Sequence, residues 1–158
     1  MFFACEVPQQ MQKVTLKPIV DNVLNLLKPS FKNKNIQSIF NIESPELQIR
    51  ADEIQITQVL FNIIMNAIYA SPEHSKVEIS IKKLKGNIQV KIIDEGSGIA
   101  STIEDKVYEP FFTTKPTGDG SGLGLSVVHG IISSHKGTIK HSKNSPKGTI
   151  FTINFPEN

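Results

Sequence analysis

Apolar residues along this chain recur at two spacings, close to 3.6 and close to 2, and the switches between them mark the elements. Residues 9–16 read as a linker and a short strand. Ile19, Val20, Val23, Leu24, Leu26 and Leu27 then fall at helical spacing, with Pro18 in a first turn, where a missing N–H is tolerated. Lys32 to Asn35 end that helix, or its continuation past Pro29. Ile36 to Ile42 and Leu47 to Arg50 are strand-like runs around Ser44-Pro45, as in a turn joining neighbouring strands. Asp52 with Gln55 three residues on is a capping-box signature, so the next helix starts there and runs to about Ala70. Its core face is Ile56, Val59, Leu60, Ile63, Ile64 and Ala67. Val77, Ile79 and Ile81 alternate, as do Ile88, Val90 and Ile92, on either side of Gly86-Asn87, which predicts a hairpin. A short helical segment is expected near Ile103 to Val107, then a helix through Leu125, Val127, Val128, Ile131 and Ile132. Gly137 to His141 and Thr149 to Phe155 predict a second hairpin around Ser145-Pro146-Lys147-Gly148. This order implies an α+β fold, a two-layer α/β sandwich whose mixed, mostly antiparallel sheet carries helices on one face.

Phe111 to Leu125 breaks the regularity. Four of the chain's ten glycines lie here on alternate positions, Gly118, Gly120, Gly122 and Gly124, too dense for a helix or strand interior, so the stretch reads as a loop. The helix that follows offers its free N–H groups to an anion, and a phosphate is the obvious guest. Neither a P-loop ending nor a Gly-x-Gly-x-x-Gly is present. On glycine content alone, a flexible surface loop accounts for the stretch equally well.

Composition narrows the class. At 158 residues, 39% hydrophobic and 20% charged, the chain fits one globular domain. A net charge of +2 with scattered lysines gives no reason to expect nucleic acid or an acidic membrane as partner. Cys5 is the one cysteine, which excludes an internal disulfide and a cysteine-based zinc site. No apolar run approaches membrane-spanning length, and the character of the chain is cytoplasmic.

Two further patterns carry candidate chemistry. Gln58, Asn62, Asn66 and Tyr69 follow one line along the second predicted helix. A solvated helix face is the structural reading of that line. The functional one is a pair of neutral carboxamide ligands, suited to a magnesium ion that already carries phosphate charge. Asp94-Glu95-Gly96-Ser97-Gly98 places an acid at a strand end, followed by glycines that admit a ligand close to the backbone, and it reads equally as an ordinary acidic turn.

Taken together these stretches resemble the ATP-binding catalytic domain of sensor histidine kinases, within the superfamily that includes gyrase, heat-shock chaperone and mismatch-repair ATPases. The resemblance covers nearly the whole chain. Gln58 to Ala67 matches the family's asparagine box, Asp94 to Gly98 its first glycine box and Tyr108 to Lys115 its phenylalanine box. Gly120-Ser121-Gly122-Leu123-Gly124-Leu125 matches the second glycine box, and Gly148-Thr149 the final Gly-Thr pair. The resemblance implies ATP and Mg2+ as cofactors. Asp94 would accept a hydrogen bond from the adenine amino group, with Gly96 and Gly98 beside the base and Thr149 assisting at the same edge. Asn66 and Asn62 would serve the metal, and Gly120, Gly122, Leu123 and Gly124 the phosphates. Phe111 and Phe112 would anchor a lid, with Lys115 reaching phosphate.

The chain departs from the family pattern at Tyr69, where many members carry a lysine, which puts one phosphate contact in doubt. Asn62 stands where the hydrolytic members carry a glutamate, and an amide cannot take a proton from water. That argues against hydrolysis and for transfer to a protein group. No histidine here is followed by an acidic residue, as the family's phospho-acceptor is: His74, His129, His135 and His141 precede Ser, Gly, Lys and Ser. His129 and His135 are expected to be packing or surface residues. Residues 1–12 are therefore expected to be a linker or the stub of a connecting segment, and 13–158 the catalytic domain. That domain would be monomeric, acting on a separate dimerisation and phospho-acceptor domain and through it on a response regulator, as a cytoplasmic chain or the cytoplasmic part of a membrane-bound kinase. The rival expectations are a nucleotide-sensing or protein-interaction module without transfer activity, and an anti-sigma-type serine kinase.

Overall fold

The computed structural model describes residues 9–98 and 124–157. Strand β1 (Gln12–Thr15) leads directly into helix α1 (Leu16–Asn33), followed by β2 (Gln37–Ile42), β3 (Gln48–Ala51), helix α2 (Glu53–Ala70), β4 (Lys76–Leu84), β5 (Asn87–Asp94), helix α3 (Gly124–Ser134), β6 (Thr138–Lys143) and β7 (Thr149–Pro156). Five strands form one sheet in the order β2-β4-β5-β7-β6, and β1 pairs with β3 in a separate two-stranded ribbon. The β2–β4 pair is parallel and the other pairs are antiparallel, the mixed sheet that the sequence implies.

The register places the helices. Val77, Ile79 and Ile81 of β4 lie opposite Asp94, Ile92 and Val90 of β5, and Ile92, Val90 and Ile88 lie opposite Phe151, Ile153 and Phe155 of β7. All of these are buried, while the alternate residues Glu78, Ser80, Lys91, Thr152 and Asn154 are half-buried. One face of the sheet therefore packs against α1, α2 and α3, while among the described residues no helix covers the other, as a period of two allows. Each fully buried Ile, Val or Leu contributes roughly 1.5 to 3 kcal/mol, which makes this layer the main source of stability.

Local signals explain the element ends. Asp52 caps α2 by accepting from the Gln55 N–H at 3.1 Å. Asn35 adopts φ 54°, and the Ile36 and Asn35 N–H groups return to Phe31 and Lys32, so α1 closes in a left-handed cap. Lys34 Nζ then donates to the Ile68 and Tyr69 carbonyls at 3.0 and 3.1 Å, adding a positive charge at the C-terminus of α2.

Four expectations need correction. The runs around Ser44-Pro45 are not paired with each other: β2 lies parallel to β4 and β3 antiparallel to β1, because Leu47–Arg50 completes the ribbon next to α1 rather than the main sheet. The first hairpin turns on Lys85-Gly86, with Asn87 already paired to Leu84; Gly86, at φ 78°, supplies the left-handed position. Leu26 lies outside the apolar face of α1, which is completed by Leu16 and Phe31 instead. Gly124 belongs to α3 and not to the loop before it, and Leu125 lies in α3 as its helical spacing implies. The segment expected near Ile103 to Val107 lies outside the described residues. No helix among the described residues is long and apolar enough to cross a membrane.

Candidate functional site

Asp94 closes strand β5, and its carboxylate sits on the buried face of the sheet at 3% exposure. Oδ1 accepts two backbone hydrogen bonds, from Gly96 at 2.8 Å and from Thr149 at 3.1 Å. The first is an Asx turn of the kind an aspartate makes with the residue two ahead. The second comes from the start of β7, so the strand end and the second hairpin share one carboxylate oxygen. Among the described residues no donor reaches Oδ2. Burial pushes the Asp94 carboxyl above its ordinary range, and the two N–H donors pull it back without reversing the shift.

The glycines around it have distinct physical reasons. A Cβ at Gly96 would lie 2.5 Å from the carbonyl oxygen of Ala70, the last residue of α2. Gly96 is thus required by packing of the loop against the helix end. Gly148 adopts φ 116°, and a Cβ there would lie 2.0 Å from the carbonyl oxygen of Asp94. Gly98 has φ 81°. Gly124 opens α3, and among the described residues nothing lies within 4 Å of a would-be Cβ there.

Along α2 the polar line is real: Asn62 and Asn66 are half-buried, while Gln58 and Tyr69 are exposed. Asn66 lies one turn before Ala70, whose carbonyl abuts Gly96, and α3 packs against α2. The fold therefore brings Asp94, Gly96, Gly98, Thr149 and the C-terminal half of α2 into one neighbourhood. Phe111, Phe112, Lys115, Gly120, Gly122 and Leu123 lie outside the described residues. Sequence reasoning passed over Gly148 as a determinant of the carboxylate's setting, and over Asn144, whose side chain donates to the Asp94 carbonyl at 2.8 Å. In sequence both are ordinary turn residues in Asn144-Ser145-Pro146-Lys147-Gly148, and only the glycine beside Thr149 carried a signal.

Comparison with known proteins gives a consistent result. The family described as histidine kinase-, DNA gyrase B-, and HSP90-like ATPase matches residues 51–158. The sensor histidine kinase ZraS of Escherichia coli (strain K12) is 34% identical over 148 residues, covering 94% of this chain and 31% of that protein. Sporulation kinase A of Bacillus subtilis (strain 168) is 35% identical over 156 residues, covering 95% of this chain and 25% of that protein. Among solved structures, the nucleotide-free catalytic domain of histidine kinase ThkA superposes with a TM-score of 0.86 at 31% identity, covering 94% of this chain and 97% of that one. The chain thus spans about a third or less of the two curated relatives' length. It belongs to the histidine kinase-, DNA gyrase B- and HSP90-like ATPase family, as an ATP-binding domain of the sensor histidine kinase type.

Proposed function

We propose that this chain holds Mg-ATP and presents the γ-phosphate to a histidine on a separate dimerisation and phospho-acceptor domain. The observation that carries the reading is the carboxylate of Asp94, on a buried residue and fixed through Oδ1 by Gly96 and Thr149, while among the described residues no donor reaches Oδ2. The adenine amino group would supply one. Guanine presents a carbonyl oxygen at that edge and would leave a buried acceptor facing another acceptor, which disfavours it. The buried Thr149, at the start of β7, supports the same edge of the base.

Asn66 and Asn62 would hold the magnesium ion. The two are half-buried neutral carboxamides one turn apart on α2, a donor set that fits an ion held mainly by phosphate and water, magnesium's usual habit. The ion, when bound, would neutralise charge on the phosphate oxygens. The N-terminus of α3, which begins at Gly124, would favour an anion through its first N–H groups. The family resemblance implies that Gly120, Gly122, Leu123 and Lys115 would serve the phosphates and that Phe111 and Phe112 would anchor a lid.

In the transfer, an imidazole nitrogen of the acceptor bonds to the γ-phosphorus as the bond to the β–γ bridging oxygen breaks. ADP leaves with that electron pair, and the imidazole proton passes to solvent. Positioning and charge neutralisation carry such a step. Asn62 cannot deprotonate water, so the site favours transfer over hydrolysis. ThkA has also been solved in complex with the response regulator protein TrrA; a response regulator is the proposed downstream partner here, with this chain itself a monomer.

Calorimetric titration of ATP, with and without Mg2+, tests the reading. Wild type should bind, Asp94→Asn should nearly abolish binding, and Asn66→Ala should remove the magnesium dependence. An added acceptor hairpin should become labelled, and the label should be lost in acid, as phosphohistidine is and phosphoserine is not. No binding by wild type at millimolar ATP would sink the proposal.

A further inference from the structure

We propose that Asn144 is a positioning residue for adenine recognition, acting through Asp94; the inference rests on the reading of Asp94 given above. Asp94 is the last residue of β5, and its pairing with β7 has ended one residue earlier, at Ile93↔Ile150. Its main-chain carbonyl thus lacks a β7 ladder partner. The Asn144 side chain takes that place, Nδ2 donating to the Asp94 carbonyl at 2.8 Å. The amide's orientation is set at its other end, where Oδ1 accepts from the Ser145 N–H at 2.9 Å. Only one amide orientation satisfies a carbonyl on one side and an N–H on the other. The Asn144 backbone is itself fixed, its N–H donating to the Gly148 carbonyl at 3.0 Å.

The β6–β7 turn therefore grips Asp94 at three points: Asn144 on the carbonyl, the glycine surface of Gly148 against the same oxygen, and the Thr149 N–H on Oδ1. A carboxylate at the end of a strand has backbone freedom that a hydrogen bond to a base cannot tolerate, and productive geometry demands placement within about 0.5 Å. Asn144 removes that freedom without touching the nucleotide. Aspartate at the same position would keep the acceptor for Ser145 and set a second oxygen against the Asp94 carbonyl, which makes Asn144→Asp the sharpest probe. Asn144→Gln keeps the donor on a longer stem.

The test compares wild type, Asn144→Ala, Asn144→Asp and Asn144→Gln in the 158-residue chain, using ATP and inorganic tripolyphosphate, each with Mg2+, as calorimetric ligands. A positioning role predicts that ATP affinity falls about tenfold in the Ala and Asp variants, roughly what one lost hydrogen bond is worth, with partial rescue by Gln. Tripolyphosphate, which has no base, should bind all four alike. In the nucleotide-free protein, the amide proton resonances of Gly96 and Thr149, the Oδ1 donors, should shift in the Ala and Asp variants. That readout needs no ligand, so it stands apart from whether wild type binds ATP at all, the outcome that overturns the adenine reading itself. Unmoved Gly96 and Thr149 amides would overturn the role of Asn144, and so would ATP and tripolyphosphate affinities falling together. Asn144→Gln serves should the other variants fail to fold.

Discussion

The backbone N–H of Asp52 donates to Nε2 of His135 at 3.0 Å, joining residues 83 positions apart in the chain. His135 Nδ1 lies 2.8 Å from the Ile131 carbonyl, so the ring carries its proton on Nδ1 and offers Nε2 as acceptor. The ring is buried at 4% exposure where α3 ends and α2 begins. Truncation by His135→Ala leaves a cavity and a buried unpaired N–H, and should cost about 2 to 3 kcal/mol in urea unfolding. His135→Phe refills the space without the acceptor and should recover only part of the loss. A change below about 0.5 kcal/mol for His135→Ala would contradict the structural role.

Asp52 should show an acid-side dependence. Burial works to raise its carboxyl pKa, but the N–H groups of Gln10, Gln55 and Ile54 outweigh it and hold the group below its ordinary 3.8. A lowered acid pKa contributes stability that is present above the unfolded value and is lost as pH falls through the folded one. Asp52→Ala should therefore cost about 1 kcal/mol at neutral pH, the usual worth of an N-cap. The gap between variant and wild type should close on acidification below about pH 4, as followed by chemical denaturation at each pH.

Asp94 carries the opposite sign. Burial holds its carboxyl above the ordinary 3.8, so between the unfolded and the folded value the native state keeps a proton that the unfolded chain has released. Stability falls as pH rises from the unfolded value through the folded one, and stays lower above it. Asp94→Asn keeps an Oδ1 for Gly96 and Thr149 and lacks the ionisable group. It should melt no lower than wild type at about pH 7, with the relative advantage shrinking toward about pH 4, while adenine binding is lost. A variant less stable than wild type across the whole range would refute this account.

Two glycines should respond in opposite directions. Gly130 lies inside α3 with nothing within 4 Å of a would-be Cβ, so Gly130→Ala should stabilise by roughly 0.5 to 1 kcal/mol. Gly148, at φ 116° and pressed against the Asp94 carbonyl, should lose about 3 kcal/mol or more on the same substitution. Thermal melts of the pair measure both, and equal effects would show that the two sites had been misjudged.

Periodicity made most elements legible, because buried positions such as Val77, Ile79 and Ile81 on β4 or Ile63 and Ala67 on α2 repeat with the geometry of their element. The partner of each strand was less legible. Nothing local distinguishes β2, which crosses to lie parallel to β4, from a strand that turns back on its neighbour, since pairing is decided by which apolar face the helices cover. At the candidate site, Asp94 and the glycines stood out in the sequence through residue type. Asn144 and His135 did not, because their hydrogen bonds reach 50 and 83 residues away and leave no local pattern.

The close approach of Gly96 to the Ala70 carbonyl ties the loop proposed to read adenine directly to the last turn of α2, four residues beyond Asn66. With no side chain between them, the loop backbone and the helix end lie directly against each other, so the distance between the two ends of the proposed ligand site is set by backbone packing. Its setting is carried by one absent methyl group.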